Sequence, residues 1–173
     1  MTNSLRLQQS LAVALTVILL GAGASVQAGT DTDTLNVTAT VAAVCRVDSV
    51  DLLDFGTISP SAQPNHDAQA SITWRCTTGT AADIDLDGGS SGDINARAMD
   101  GTTETLPYQL YTDAARLQVW GDGGTGDDVD VIGAGMGVPN AVTTTIHGRV
   151  LDADVAGLEP DTFNDAVTVT INF

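Results

Sequence analysis

The 173-residue chain carries 22 acidic side chains against six basic ones, a formal charge of −16 at pH 7. All six basic residues are arginine, which excludes nucleic-acid binding, because phosphate contacts require clustered Lys and Arg. The length suits one domain with a genuine core, and the acidic excess reads either as adaptation to high salt or as ordinary solubilising charge.

Residues 1–28 read as a signal peptide. Arg6 is the only charge before Asp31, residues 11–20 are almost wholly apolar, and Val26-Gln27-Ala28 supplies small or apolar residues where a signal peptidase cuts. A membrane anchor is the alternative, but the apolar run is shorter than the roughly 20 residues that span a bilayer. Cleavage after Ala28 would leave residues 29–173, with the five remaining arginines against 22 acids and a net charge of −17.

After the signal peptide the apolar period is close to two, which predicts an all-β domain. Leu35, Val37, Ala39, Val41 and Ala43 alternate with polar or small residues and predict a strand with one apolar face, which Cys45 continues. Residues 47–55 read as a second strand, closed by Gly56 and the Ser59-Pro60 turn signal, and residues 68–76 as a third, with Ile72 and Trp74 on one side. Residues 82–86 form a short strand with Ile84 and Leu86 inward, followed by a Gly/Ser-rich loop. Residues 106–112 and 117–120 are further strand pieces, and residues 121–137, rich in glycine and acid, read as a flexible surface loop with strand fragments.

Residues 142–151 make a long β-branched strand, 153–164 a connection containing Pro160, and 166–173 the last strand, in which Val167, Val169, Ile171 and Phe173 alternate with polar residues. Regularly spaced strands with turn signals between them predict an immunoglobulin-like Greek-key β-sandwich. The even cysteine count, Cys45 and Cys76, reads in an exported chain as one disulfide joining adjacent antiparallel strands, the alternative being two buried thiols. Such a bridge would stabilise the fold by roughly 3–4 kcal/mol.

No constellation of catalytic type emerges. The two histidines, His66 in a polar turn and His147 within a β-branched stretch, are flanked by no nucleophile motif. Asp83-Ile84-Asp85-Leu86-Asp87-Gly88 imitates an EF-hand opening, but its twelfth position is Ile94 where a glutamate is required. A strand with its aspartates toward solvent explains it better. Gly123-Gly124-Thr125-Gly126-Asp127-Asp128 resembles one calcium-binding nonapeptide turn, yet Asp130 stands where a large aliphatic residue belongs, so at most weak, incidental cation binding is expected. Paired acids for glycoside hydrolysis carry no signal in a chain this rich in carboxylates. Asn36-Val37-Thr38 fits a glycosylation sequon and reads as a strand segment. No metal and no cofactor is expected.

Several patterns in combination resemble the spore coat U family, which includes the Csu-type pilins of the archaic chaperone–usher pathway. They are the strand of residues 35–45 running into a cysteine, the Asp54-Phe55-Gly56 step, Trp74-Arg75-Cys76, Leu106-Pro107-Tyr108-Gln109-Leu110-Tyr111-Thr112-Asp113 followed by Trp120-Gly121-Asp122-Gly123, and the ending from Asp165 to Phe173. The lysine-free, acidic surface departs from the family pattern. The resemblance implies an incomplete sandwich that lacks its final strand and bears a hydrophobic groove beside its carboxyl-terminal strand. It also implies two partners, a periplasmic pilus chaperone and an outer-membrane usher.

The expected organisation is a signal peptide over 1–28, a donor-strand extension over 29–44 and a pilin domain over 45–173. Leu35, Val37, Ala39, Val41 and Ala43 are expected to add a strand to a neighbouring pilin subunit, of the same or another kind, along an acceptor edge of Val167, Val169, Ile171 and Phe173. The function expected is thus that of a non-enzymatic structural subunit of a cell-surface fimbria in biofilm formation and adhesion. The alternatives are a tip adhesin, a spore-coat or other extracellular structural protein without pilus assembly, an extracellular hydrolase, and a monomeric sandwich whose arm folds back as its own strand.

Overall fold

The computed structural model describes residues 27–59 and 65–173. The signal peptide expected over residues 1–28 lies outside the described residues except for Gln27 and Ala28, as does Pro60 of the expected turn. The chain divides into two units, Met1–Ala39 and Thr40–Phe173. In the first, residues 27–39 form neither helix nor strand and are exposed.

The second unit is all-β apart from single turns of helix. Its elements in chain order are β1 (Cys45–Val50), β2 (Asn65–Cys76), β3 (Ala81–Leu86), β4 (Ala98–Asp100), β5 (Thr105–Pro107), β6 (Gln109–Tyr111), β7 (Val129–Ile132), β8 (Val142–Leu151), the short helix α1 (Asp152–Val155) and β9 (Val169–Asn172). Two antiparallel sheets, ordered β1-β2-β8-β6 and β7-β3-β9, enclose the core, and β4 and β5 form a separate ribbon. The long strands follow from their alternation: Ala70, Ile72, Trp74 and Cys76 of β2, Ile146 and Val150 of β8, and Ala82, Ile84 and Leu86 of β3 all face inward and are buried. β2 and β8 pair from Asn65 opposite Leu151 to Trp74 opposite Val142.

Several segments differ from the sequence expectation: the strand expected over residues 47–55 is β1, Cys45–Val50, and residues 117–120 make only isolated bridges. Residues 35–43 form no strand, since a strand needs a partner for its backbone groups. The stretch 106–112 is split at Tyr108 between two sheets: Pro107 has no N–H to donate, and the Tyr108 N–H bonds to Arg97 O at 3.0 Å. Inside the glycine-rich loop, Val129 and Val131 of β7 pack on the core, with Val129 paired opposite Ile84 and Val131 opposite Ala82 of β3. The last strand spans Val169–Asn172 alone, because Thr168 N is taken by Asp87 Oδ1 at 2.8 Å.

Cys45 and Cys76 face each other in the β1/β2 register and form the disulfide, with Cα atoms 4.1 Å apart. One position back, the pairing continues through Thr77 N to Val44 O at 2.9 Å and Val44 N to Thr77 Oγ1 at 3.0 Å. On the outer face of the same ribbon, Arg75 donates Nε (2.5 Å) and Nη2 (2.9 Å) to the two oxygens of Asp48, and Arg46 adds a third donor at 2.6 Å. These hydrogen bonds, from Arg75 above all and then Arg46, hold the Asp48 pKa down at about 2.

Arg97, 1% exposed, is the polar centre of the core. Its guanidinium donates to Asp87 O (2.8 Å), Leu86 O (2.9 Å), Trp120 O (2.8 Å), Gln109 Oε1 (2.7 Å) and Ile94 O (3.4 Å). One planar fork thereby satisfies backbone carbonyls from segments that belong to no common sheet. Burial lowers its pKa, against the nearby Tyr108, Asp87 and Asp165.

Two outcomes are expected. Arg97→Ala strands several buried carbonyls and opens a cavity, and should lower stability by about 3–5 kcal/mol in urea unfolding. Because the Asp48 pKa lies below that of a free aspartate, its stabilising contribution is present above about pH 4 and is lost as pH falls toward 2. Asp48→Asn should therefore be less stable at neutral pH and show a flatter loss of stability through that acid window than the wild type.

Candidate functional site

A groove of about 830 Å³ opens between two stretches of chain. One wall is residues 50–58, which continue β1 in extended form, and the other is residues 158–167 leading into Val169 of β9. Its floor is apolar: Leu86, Leu106, Leu110, Ile146 and Val155, with Tyr108. The first wall extends β1 and the second leads into β9, each the edge strand of its sheet; among the described residues β9 is hydrogen-bonded to β3 alone, while Asn164 of the second wall pairs with Asp100.

The first wall is seated by a glycine. A Cβ on Gly148 of β8 would lie 2.9 Å from Leu53 Cδ2 and 3.0 Å from Phe55 Cζ, so the absence of a side chain lets Leu53 and Phe55 settle on the sheet. Asp51 N bonds to Ser71 O at 2.9 Å, and beyond it Leu53, Phe55 and Ile58 are held by packing on the core.

Tyr108 braces the groove from below. Its ring meets Phe55 of the first wall edge-on at 6.4 Å, and its hydroxyl donates to Asp165 Oδ2 of the second wall at 2.5 Å. Asp165 Oδ1 also accepts from Ser90 N (2.8 Å), Ser90 Oγ (2.7 Å) and Ala166 N (2.7 Å). Burial pushes the Asp165 carboxyl up, but these donors outweigh it and hold its pKa below the ordinary value, while burial and the adjacent carboxylate raise that of Tyr108.

Val167 and Val169, expected at an acceptor edge, are half-buried and line the groove. Ile171 packs into the core on the same strand, and Phe173 is exposed. Leu35, Val37 and Val41 are more than 80% exposed, and Ala39 and Ala43 are exposed as well. Residues 50–58 and Tyr108 were not read from the sequence as parts of a site, although the alternation of Leu106, Tyr108 and Leu110 marks all three as facing one side.

Elsewhere, the two calcium-like motifs converge. Carboxylate oxygens of Asp83, Asp85 and Asp128 lie within 4.8 Å of one another, and Asn172 Nδ2 donates to Asp83 (3.0 Å) and Asp85 (2.6 Å). Burial first, and the neighbouring acids after it, raise the Asp85 pKa against the Asn172 hydrogen bond. His66 Nε2 lies 3.3 Å from Asp152 Oδ1, and His147 is buried in β8 opposite Gln69 and Tyr111.

A sequence profile described as the Spore Coat Protein U domain matches residues 9–170. The chain is 31% identical over 165 residues to Protein U of Myxococcus xanthus, covering 85% of this chain and 87% of that one. The fold is similar to a chain in the crystal structure of the chaperone–tip adhesion subunit pre-assembly complex from the archaic chaperone–usher Csu pili of Acinetobacter baumannii. That likeness has a TM-score of 0.53 and 22% identity, and covers 78% of this chain and 40% of that one.

Tyr108→Phe keeps the ring against Phe55 and removes only the hydroxyl on Asp165. Stability should fall by about 2 kcal/mol, the usual worth of a hydrogen bond to a charged group, as read by urea unfolding; an unchanged midpoint would show that the brace is dispensable.

Proposed function

The chain belongs to the Spore Coat Protein U domain family, and from that premise we propose that it is a structural subunit of a chaperone–usher surface pilus, assembled by strand addition and not by catalysis. The carrying observation is a pair. An apolar groove lies open between two sheet edges, and the same chain carries an alternating apolar segment whose side chains are exposed.

The donor is residues 35–43 of a neighbouring subunit. Nine extended residues reach about 30 Å and turn Leu35, Val37, Ala39, Val41 and Ala43 to one face. Laid along Val167 and Val169, such a strand bonds to the edge of β9 while its side chains pack against the half-buried apolar side chains of the groove walls. Burying three or four of them contributes on the order of 5–8 kcal/mol before ordering costs. The contact is head to tail and does not close on itself, so repetition builds a fibre.

Before assembly the same groove is occupied by a strand lent by a periplasmic chaperone, and an outer-membrane usher organises the exchange. The subunit is exported through its signal peptide, passes through the periplasm and ends in a cell-surface fimbria that serves attachment and biofilm formation. The family's description as a spore coat domain favours a second reading, an extracellular coat protein that uses the same fold without an usher.

Val37→Asn combined with Val41→Asn tests the proposal. Co-expressed with a pilus chaperone, the variant should still yield a soluble chaperone complex, and its SDS-resistant polymers should fall at least about tenfold. Polymers at the wild-type level would refute donation by this segment, and a chain that assembles with no chaperone or usher would favour the coat reading.

A further inference from the structure

The walls of the groove carry five carboxylates, Asp51, Asp54, Glu159, Asp161 and Asp165, and no Arg, Lys or His among the residues that line it. All but Asp165 are exposed. The segment proposed to enter the groove is led by two more acids, Asp31 and Asp33, with no Arg, Lys or His between residue 29 and Cys45, so that the only positive charge on it is the α-amino group that cleavage after Ala28 would free. The arginines offer no relief. Arg46 and Arg75 are engaged by Asp48, Arg116 and Arg149 by Asp67, and Arg97 is buried.

We propose that uptake of the arm is gated by ionic strength: the acidic leader of residues 29–34 repels the acidic walls of the acceptor groove, and the strand exchanges efficiently only when salt screens that repulsion. This rests on the strand-addition reading above and adds a control to it. The attraction between arm and groove is apolar and backbone hydrogen bonding, which salt does not weaken. The opposition is Coulombic between exposed groups, and such repulsion is largely removed as the Debye length shrinks from about 30 Å at 0.01 M salt to about 4 Å near 0.5 M. At low ionic strength the same walls favour an occupant whose flanks are basic or neutral over a copy of the chain's own arm. The acidic composition would then hold subunits apart in dilute medium and permit fibre growth in concentrated salt.

The test uses the full exported chain carrying Val37→Asn and Val41→Asn, so that it accepts a strand without donating one. A peptide of residues 29–44 with a free amino terminus and a fluorophore at its carboxyl end is titrated into it at about 10 mM and about 500 mM NaCl, beside the same peptide with Asp31→Asn and Asp33→Asn. The wild-type peptide should bind about tenfold more tightly at high salt, and the neutralised peptide should change by no more than about twofold and bind more tightly than wild type at low salt. Equal salt responses of the two peptides, or tighter wild-type binding at low salt, would overturn the gate while leaving strand addition intact. Binding of neither peptide at either concentration would instead overturn strand addition, and the gate with it.

Discussion

An edge strand presents a row of backbone N–H and C=O groups that need partners, and this sandwich has two such edges, β1 and β9, on either side of an apolar groove. Among the described residues β9 is bonded to β3 on one side only, and residues 51–58 are tied to β2 through Asp51 N and Ser71 O and then held by packing on the core. Between them the groove is lined by Leu86, Leu106, Leu110 and Ile146, each no more than 5% exposed, and the apolar surface still open lies on the walls, at Leu52, Leu53, Phe55, Phe163, Val167 and Val169. Apolar surface left in water forgoes roughly 25 cal/mol for every Å² that burial would remove, and exposed edges invite pairing with whatever strand arrives. A single added strand answers both demands at once, because its backbone meets the edge while alternate side chains meet the apolar walls.

For such a groove to persist, its walls must be fixed by something other than the strand they lack, and the structure supplies polar anchors for this purpose. Arg97 joins carbonyls of Leu86, Asp87, Ile94 and Trp120 in the middle of the molecule. Tyr108 links the two walls through Phe55 and Asp165. Trp120 Nε1 donates to Ile84 O and Trp74 Nε1 to Thr144 Oγ1, so both buried indoles are satisfied as well as packed. Directional bonds of this kind define distances between segments more sharply than apolar packing does.

How much of this is legible in the sequence follows from which forces are local. Alternation at Ile72 and Trp74, at Ile84 and Leu86, and along residues 142–151 reports a buried sheet face directly, and the disulfide follows from two cysteines in an exported-looking chain. Residues 47–55 read as a strand closed by Gly56, yet the place of residues 50–58 as a groove wall depends on Gly148, nearly a hundred residues away, having no side chain. Arg97 stands among Asn, Ala and Met with nothing to mark it as a buried hub, since its acceptors are carbonyls that every residue possesses. Strand fragments were expected within residues 121–137, but as part of a surface loop; only the pairing of β7 with β3 decides that Val129 and Val131 join a sheet and pack on the core.

The distribution of charge limits what could hold copies of this chain together. Two carboxylates, Asp48 and Asp67, occupy four of the five arginines among the described residues, and the fifth is buried. Asp48 secures the β1/β2 ribbon on the face opposite the disulfide, and Asp67 secures Arg149 of β8 together with Arg116. The surface is left with acids and almost no free cations, so ion pairs between copies are scarce by construction. Association between copies must then come from apolar burial and backbone pairing, and the groove beside β9 is where this chain offers both.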